Sequence, residues 1–133
     1  DDTMVGMALL GLRHLAFRVR DPQASKRFYG ELFGMRVVWE PDADNVYLSS
    51  GVDNLALHRQ AVEGPGALDH LGFIVDSREE VDRLAERFRA GGVTITAEPR
   101  DHRDGSRSFY CADPDGLSIQ VLFEPTLSLQ ILR

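Results

Sequence analysis

The chain has 133 residues, 43% of them apolar and 27% charged, with a formal net charge of -6. That length suits a single domain around one core, and the composition is that of a globular protein. The acidic balance excludes nucleic acid as an expected partner, because phosphate binding needs a basic face, and no apolar run reaches the length of a membrane span.

The N-terminal stretch Val5–Leu12 is apolar but short, and it follows Asp1-Asp2 rather than a basic region, so it does not read as an export signal. The single cysteine, Cys111, cannot form an intramolecular disulfide. A cytoplasmic protein is the expectation from these two features.

The first element is a strand over Leu12–Arg20, where Leu15, Phe17 and Val19 alternate with His14, Ala16 and Arg18. Asp21-Pro22 then supplies an N-cap and a proline at the first helical position. The helix runs to about Phe33 with Phe28, Leu32 and Phe33 on one face, and Gly34 ends it. Three short strands follow at Met35–Glu40, Val46–Ser49 and Leu55–Gln60, separated by turns rich in Pro, Asp, Asn and Gly.

Residues 61–67, with Gly64-Pro65-Gly66, read as a connector, and then the order begins again. Leu68–Val75 is a strand. Ser77 and Glu80 form a capping box for a helix that turns Val81, Leu84, Ala85 and Phe88 inward and stops at Gly91-Gly92. Strands at Val93–Ala97, Ser108–Ala112 and Leu117–Phe123 complete the second set. The organisation is therefore one domain, with module one at 11–60, the connector, module two at 68–123 and a tail at 124–133. Three consecutive strands per helix argue against a doubly wound parallel sheet, because hairpin-linked strands are antiparallel.

The repeat extends to single residues: His14 with His70, Glu40-Pro41 with Glu98-Pro99, Tyr47 with Tyr110, Asp53 with Asp115, and His58 with Gln120. Such a repeat predicts two similar modules about a pseudo-two-fold axis. Symmetric pairing would bring His14, His58, His70 and Gln120 together on that axis. Three imidazoles and an amide suit a divalent transition metal (Fe, Ni, Zn or Mn) rather than the all-oxygen shell of magnesium or calcium. A lone strand histidine is more often structural than a ligand, so the matched placement carries the reading. Gln120 is its weak member, because an amide oxygen is a poorer ligand than a carboxylate.

The runs Arg13-His14-Leu15-Ala16-Phe17-Arg18-Val19-Arg20-Asp21, Phe28-Tyr29 through Leu32-Phe33-Gly34-Met35, Asp69-His70-Leu71-Gly72-Phe73, and Asp113-Pro114-Asp115-Gly116-Leu117 leading to Gln120 resemble motifs of the vicinal-oxygen-chelate superfamily of glyoxalases, bleomycin-resistance proteins and extradiol dioxygenases. The resemblance covers nearly the whole chain. It implies an α+β fold in which two βαβββ modules form an open, cup-shaped, eight-stranded mixed sheet, commonly in a homodimer. It also implies metal ligands at His14, His70, His58 and Gln120, the last departing from the usual Glu. By the same resemblance His58 and Tyr110 take the acid–base roles, and Arg18 holds an anionic part of the substrate.

Two functions compete at this level. One is a metal-dependent lyase, isomerase or dioxygenase acting on a small substrate with neighbouring oxygens, which the metal would polarise. The other is a metal-free cup of the bleomycin-resistance type that sequesters a small ligand, which Gln120 favours and the three histidines oppose.

Of the remaining features, Asp113 and Asp115 are expected to serve the turn before the last strand. Cys111 is expected to be a buried small hydrophobe. Trp39 and Tyr47 line either the cup or the core. The mixed-charge run Arg100–Arg107 reads as a solvated loop, with a lid over the cup as the sharper alternative. In the tail, Leu127, Leu129 and Ile131 alternate, which fits an added strand, cover for an apolar patch at a dimer interface, or packing on the chain's own domain.

Overall fold

The computed structural model describes residues 12–61 and 68–128. The predicted connector at Gly64-Pro65-Gly66, the stretch Val5–Gly11 and the tail from Leu129 lie outside the described residues.

Module one comprises β1 (His14–Val19), α1 (Pro22–Phe33), β2 (Arg36–Asp42), β3 (Asn45–Ser49) and β4 (Asn54–Arg59). Module two comprises β5 (Leu71–Ile74), α2 (Arg78–Ala90), β6 (Ile95–Asp101), β7 (Arg107–Ala112) and β8 (Ser118–Phe123). The eight strands form two four-stranded mixed sheets of identical topology, ordered β1-β4-β3-β2 and β5-β8-β7-β6. The first strand of each module pairs parallel with the last, and the others are antiparallel. The fold is thus α+β, with a βαβββ unit stated twice.

Local chemistry explains the elements. The Asp21 side chain accepts from the Gln23 N–H at the start of α1, and Gly34 takes the left-handed conformation (φ 69°) that ends it. The Ser77 hydroxyl accepts from the Glu80 N–H at the start of α2. Each proline of the Glu-Pro repeat lacks an N–H for the ladder, and in both β2 and β6 the register shifts around it. Helix and sheet are tied alike in the two modules: Lys26 reaches Glu40 at 3.0 Å, and Arg89 reaches Glu98 at 2.9 Å.

One core spans both modules. Tyr29, Leu48 and Leu57 of the first pack in the same cluster as Phe88, Phe109 and Ile119 of the second, all buried. Phe33 of α1 stacks on Phe73 of β5 with ring centroids 4.1 Å apart and meets Phe88 edge-on at 5.3 Å. Two polar links cross the same boundary. The Tyr29 hydroxyl donates to Asp113 at 2.8 Å, and the Arg20 backbone N–H donates to Asp115 at 3.0 Å. Asp113 and Asp115 therefore do serve the turn before β8, and in addition they lock the modules together.

After β8 the chain turns helical: Pro125–Ser128 forms a short α3. The alternation that begins at Leu127 is therefore not a strand at its start. The Glu124 carboxylate accepts from the N–H groups of Thr126 and Leu127 and caps that turn. No helix among the described residues is long and apolar enough to cross a membrane.

Candidate active site

On β1, Leu15, Phe17 and Val19 face the core, while His14, Ala16 and Arg18 are exposed on the opposite face, as the alternation predicts. The parallel register sets His14 beside Asn54, Ala16 beside Ala56 and Arg18 beside His58. Tyr47 lies next to Ala56, and Trp39 next to Tyr47, so both aromatic residues belong to this outer face. Their rings are 4.9 Å apart, and Tyr47 meets His58 edge-on at 5.6 Å. Trp39 is 58% exposed, which removes it from the core.

The second sheet repeats the arrangement. Gly72 lies beside Gln120, and Gln120 beside Tyr110. The rings of His70 and Tyr110 meet edge-on at 5.5 Å. Gly72 gives Gln120 room: a Cβ there would stand only 3.7 Å from the amide oxygen, and anything larger would reach it.

The registers correct one element of the repeat. Tyr47 pairs with Ala56, and Tyr110 pairs with Gln120, so Ala56 is the counterpart of Gln120. His58 lies two residues further along and corresponds to Leu122. The turn before β8 holds one more residue than the turn before β4, which counting from Asp53 and Asp115 does not reveal. His58 therefore shares the outer face with His14 but stands level with Arg18.

The three predicted histidines share one hydrogen-bond pattern. His14 Nδ1 lies 2.9 Å from Asn54 Oδ1, His58 Nδ1 lies 2.7 Å from Asn45 Oδ1, and His70 Nδ1 lies 2.7 Å from Asp69 Oδ2. An acceptor at Nδ1 holds the proton there and leaves the Nε2 lone pair outward, the tautomer that a metal or a proton donor requires. The fourth histidine, His102, instead engages Nε2 with Ser108 Oγ at 2.8 Å.

An open cavity of about 690 Å³ lies on the face of the second sheet, lined by Tyr110, Gln120, Leu122 and the β6–β7 hairpin. Gln120 is only 9% exposed, yet its amide makes no hydrogen bond among the described residues. The amide opens onto the cavity rather than being sealed in the core, so it is free to meet water, a ligand or an ion there. The structure thus brings Gln120 and Tyr110 together at the cavity, with the His70 ring against Tyr110 but outside the cavity lining, and sets Arg18 beside His58 on the first sheet. His14 is on that same outer face at the far end of β1. Among the described residues, no three His, Cys, Asp or Glu side chains stand together as a metal site, so the predicted ligands do not form one such cluster within the described chain.

The run Arg100–Arg107 is solvated as expected over much of its length, but it is a hairpin turn between strands rather than an irregular loop. β6 continues to Asp101, β7 begins at Arg107, and the hairpin tip between them forms the cavity wall. Arg100, His102 and Arg103 thereby join the site. The sequence placed this run near the cup only as an alternative to a solvated loop and assigned these three residues no site role.

Three buried groups outside the cavity have displaced acidities, and burial together with the Asp113 charge holds the Tyr29 phenol well above its usual value. Burial pushes the Cys111 thiol up to about 12, and the charge of Asp113 adds to the effect. Burial also raises the Asp113 carboxyl above the usual aspartate value, against the opposing hydrogen bonds from Tyr29 and from the Leu117 and Asp115 N–H groups.

Two βαβββ modules of identical topology, with His14 opening β1 and His70 just before β5, set the class of fold. Residues 11–121 match the profile of the Glyoxalase/Bleomycin resistance protein/Dioxygenase superfamily, and the chain belongs to that family. It is similar to the glutathione transferase FosA of Serratia marcescens, with 33% identity over 121 residues, covering 85% of this chain and 80% of that protein. It is also similar to the lactoylglutathione lyase GLX1 of Arabidopsis thaliana, with 28% identity over 120 residues, or 82% of this chain. The chain spans about two fifths of the length of that plant relative (42%). Among solved structures, the lactoylglutathione lyase from Agrobacterium tumefaciens superimposes with a TM-score of 0.75 at 23% identity, covering 91% of this chain and 98% of that one, a likeness of fold.

Proposed function

We propose that this protein is a metal-dependent enzyme acting on a small substrate with neighbouring oxygens. The observation that carries the reading is the unpartnered, nearly buried Gln120 amide, with the His70 ring beyond Tyr110 on the same face. In this reading His14, His70 and Gln120, which do not stand together as one cluster among the described residues of a single chain, would hold a divalent transition ion such as Fe, Ni, Zn or Mn, which when bound would act as a Lewis acid toward the two oxygens. Asn54 and Asp69 orient the two imidazoles through Nδ1.

His58 is not assigned as a ligand, because Ala56, the counterpart of Gln120, carries no donor and His58 stands beside Arg18. It holds or receives the transferred proton at Nε2, with the Tyr110 hydroxyl as a second proton-bearing group, and Arg18 holds a negative charge of the substrate. FosA and the plant lactoylglutathione lyase are named for glutathione chemistry. A thiol adduct is therefore the first substrate class to try, for a transferase or lyase reaction. A homodimer fits the large apolar side chains left exposed on β2 and β5: Val37, Val38, Trp39 and Ile74.

The second reading, a metal-free binder, is favoured by the amide where a carboxylate would bind a cation better. Elemental analysis of protein purified without chelators separates the two. The enzyme reading expects about one transition metal per site, lost in His14→Ala and in His70→Ala. Wild-type protein that is metal-free and does not take up Fe, Ni or Zn on titration overturns it.

A further inference from the structure

We propose that the β6–β7 hairpin is a subsite for an oxyanion at the far end of the substrate, held by Arg100 and Arg103 with His102 between them. Hydrogen-bond partners around the cavity carry the proposal: Asp101 is paired with cations, while Asp104 and Glu124 accept from neutral donors and keep their charge. These three carboxylates line the cavity, and each already accepts from protein donors. Asp101 takes Arg78 at 3.3 Å and Arg107 at 3.2 Å. Asp104 takes the Ser106 N–H at 2.9 Å, and the Ser106 hydrogen bonds hold its carboxyl below the usual range. Glu124 caps α3. Arg100 and Arg103 also line the cavity, and neither has an acceptor among the described residues. Two unpaired guanidinium groups at the wall of one cavity are suited to a carboxylate or a phosphoryl group.

The backbone that carries them is well fixed, while the two side chains themselves are exposed. Arg78 donates to the Gly105 carbonyl and stacks over Phe123 at 5.1 Å, fixing the tip from beneath. Arg107 grips Asp82 through two nitrogens at 2.7 and 3.2 Å. His102 closes the turn through its own N–H to Ser106 at 2.8 Å and through Nε2 to Ser108. A scaffold ordered before binding loses little entropy on binding.

The register also sets a length. Arg100 is level with Ser108, and Tyr110 is level with Gln120. The oxyanion therefore sits two residues along the strand, about 7 Å or more from the amide of Gln120. The substrate is an elongated molecule, neutral and oxygen-bearing at one end and anionic at the other. This rests on the reading of Gln120 and His70 as the reacting end.

The test is an NMR titration of the purified protein at constant ionic strength, with inorganic phosphate and separately with glutarate. The guanidinium Nε–H signals of Arg100 and Arg103 and the ring signals of His102 are followed. Saturating shifts are expected there, with affinity reduced about tenfold or more in Arg100→Gln/Arg103→Gln, a variant that keeps the metal content and Tm of the parent. Saturation by phosphate alone identifies a phosphoryl end, and saturation by glutarate a carboxylate end. A linear response, an equal response at Arg13 and Arg36, or no change in the double variant overturns the proposal. If His70→Ala keeps its metal while the anion still saturates, the metal reading falls and this subsite stands. Metal loss in His70→Ala without anion saturation has the opposite meaning.

Discussion

Tyr29 of the first helix donates its hydroxyl proton to Asp113, at 2.8 Å and buried, and so ties module one to the turn that launches β8. The other oxygen of Asp113 accepts from the N–H groups of Asp115 and Leu117 at 2.9 and 2.8 Å. That turn sets the start of the strand carrying Gln120, so the site depends on a contact made far from it. Tyr29→Phe keeps the ring packing against Phe28 and Phe33 and removes the donor. A loss of about 1–3 kcal/mol is expected, as for a buried acceptor deprived of its partner.

That loss should depend on pH. Burial raises the Asp113 carboxyl, so its ionised form is disfavoured in the folded protein, and its contribution to stability falls as pH rises through the raised value. The Tyr29 hydrogen bond works against this by lowering the same carboxyl. Without it, ionising Asp113 becomes more unfavourable. The Tm deficit of Tyr29→Phe should therefore be larger near pH 7 than near pH 4, where the carboxyl is closer to its protonated form in both proteins. A deficit independent of pH would mean that Asp113 does not ionise in the folded state.

Much of this fold was legible because both modules state it in local chemistry. Asp21-Pro22 and Ser77 start the helices, Gly34 ends one of them, and the alternation around Phe17 marks a half-buried strand. The candidate site was legible where it sits on those strands: His14 falls on the face that the period of two assigns, whereas His70 lies just before β5, which starts at Leu71 rather than Leu68. The equivalence of His58 and Gln120 was not legible. Ala56 comes nine positions after Tyr47 and Gln120 ten after Tyr110, whereas His58 comes eleven after Tyr47, and neither the turn lengths nor the pairing of Asp53 with Asp115 shows that offset locally. The hairpin arginines escaped for a related reason, since a charged turn reads alike whether it is solvated or walls a cavity.

Cys111 offers a direct probe of the core. Its thiol is fully buried and pushed up to about 12, so neither access nor thiolate is available under native conditions. Native protein near pH 8 should react with a thiol reagent at least about a hundredfold more slowly than the urea-unfolded chain, with one thiol modified on unfolding. Fast modification of the native protein would show that β7 opens locally.

The paired amides on the first sheet separate a ligand from a proton carrier. Asn54 holds His14, and Asn45 holds His58. If His14 binds the metal and His58 does not, Asn54→Ala should weaken metal affinity about tenfold to a hundredfold, by freeing the imidazole to turn. Asn45→Ala should leave metal affinity unchanged and alter the pH dependence of turnover. Equal loss of metal in both variants, measured by competition with a chelator, would return His58 to the ligand set.

Gln120 is where the two readings of function meet, and Gly72 beside it provides an independent handle. Replacing the amide by a carboxylate puts a negative charge at the cation's position without changing shape. Gln120→Glu should therefore tighten metal binding, and no change would mean that this side chain is not a ligand. Gly72→Val tests the same atom sterically. A Cβ there would meet the Gln120 oxygen at an ordinary 3.7 Å contact, so the added branches crowd the space beside the amide. Gly72 is an exposed strand position, and valine suits a strand, so the Tm should hold or rise. Metal affinity should nonetheless fall, and a stable Gly72→Val protein with unaltered metal affinity would place the ion, if there is one, away from Gln120.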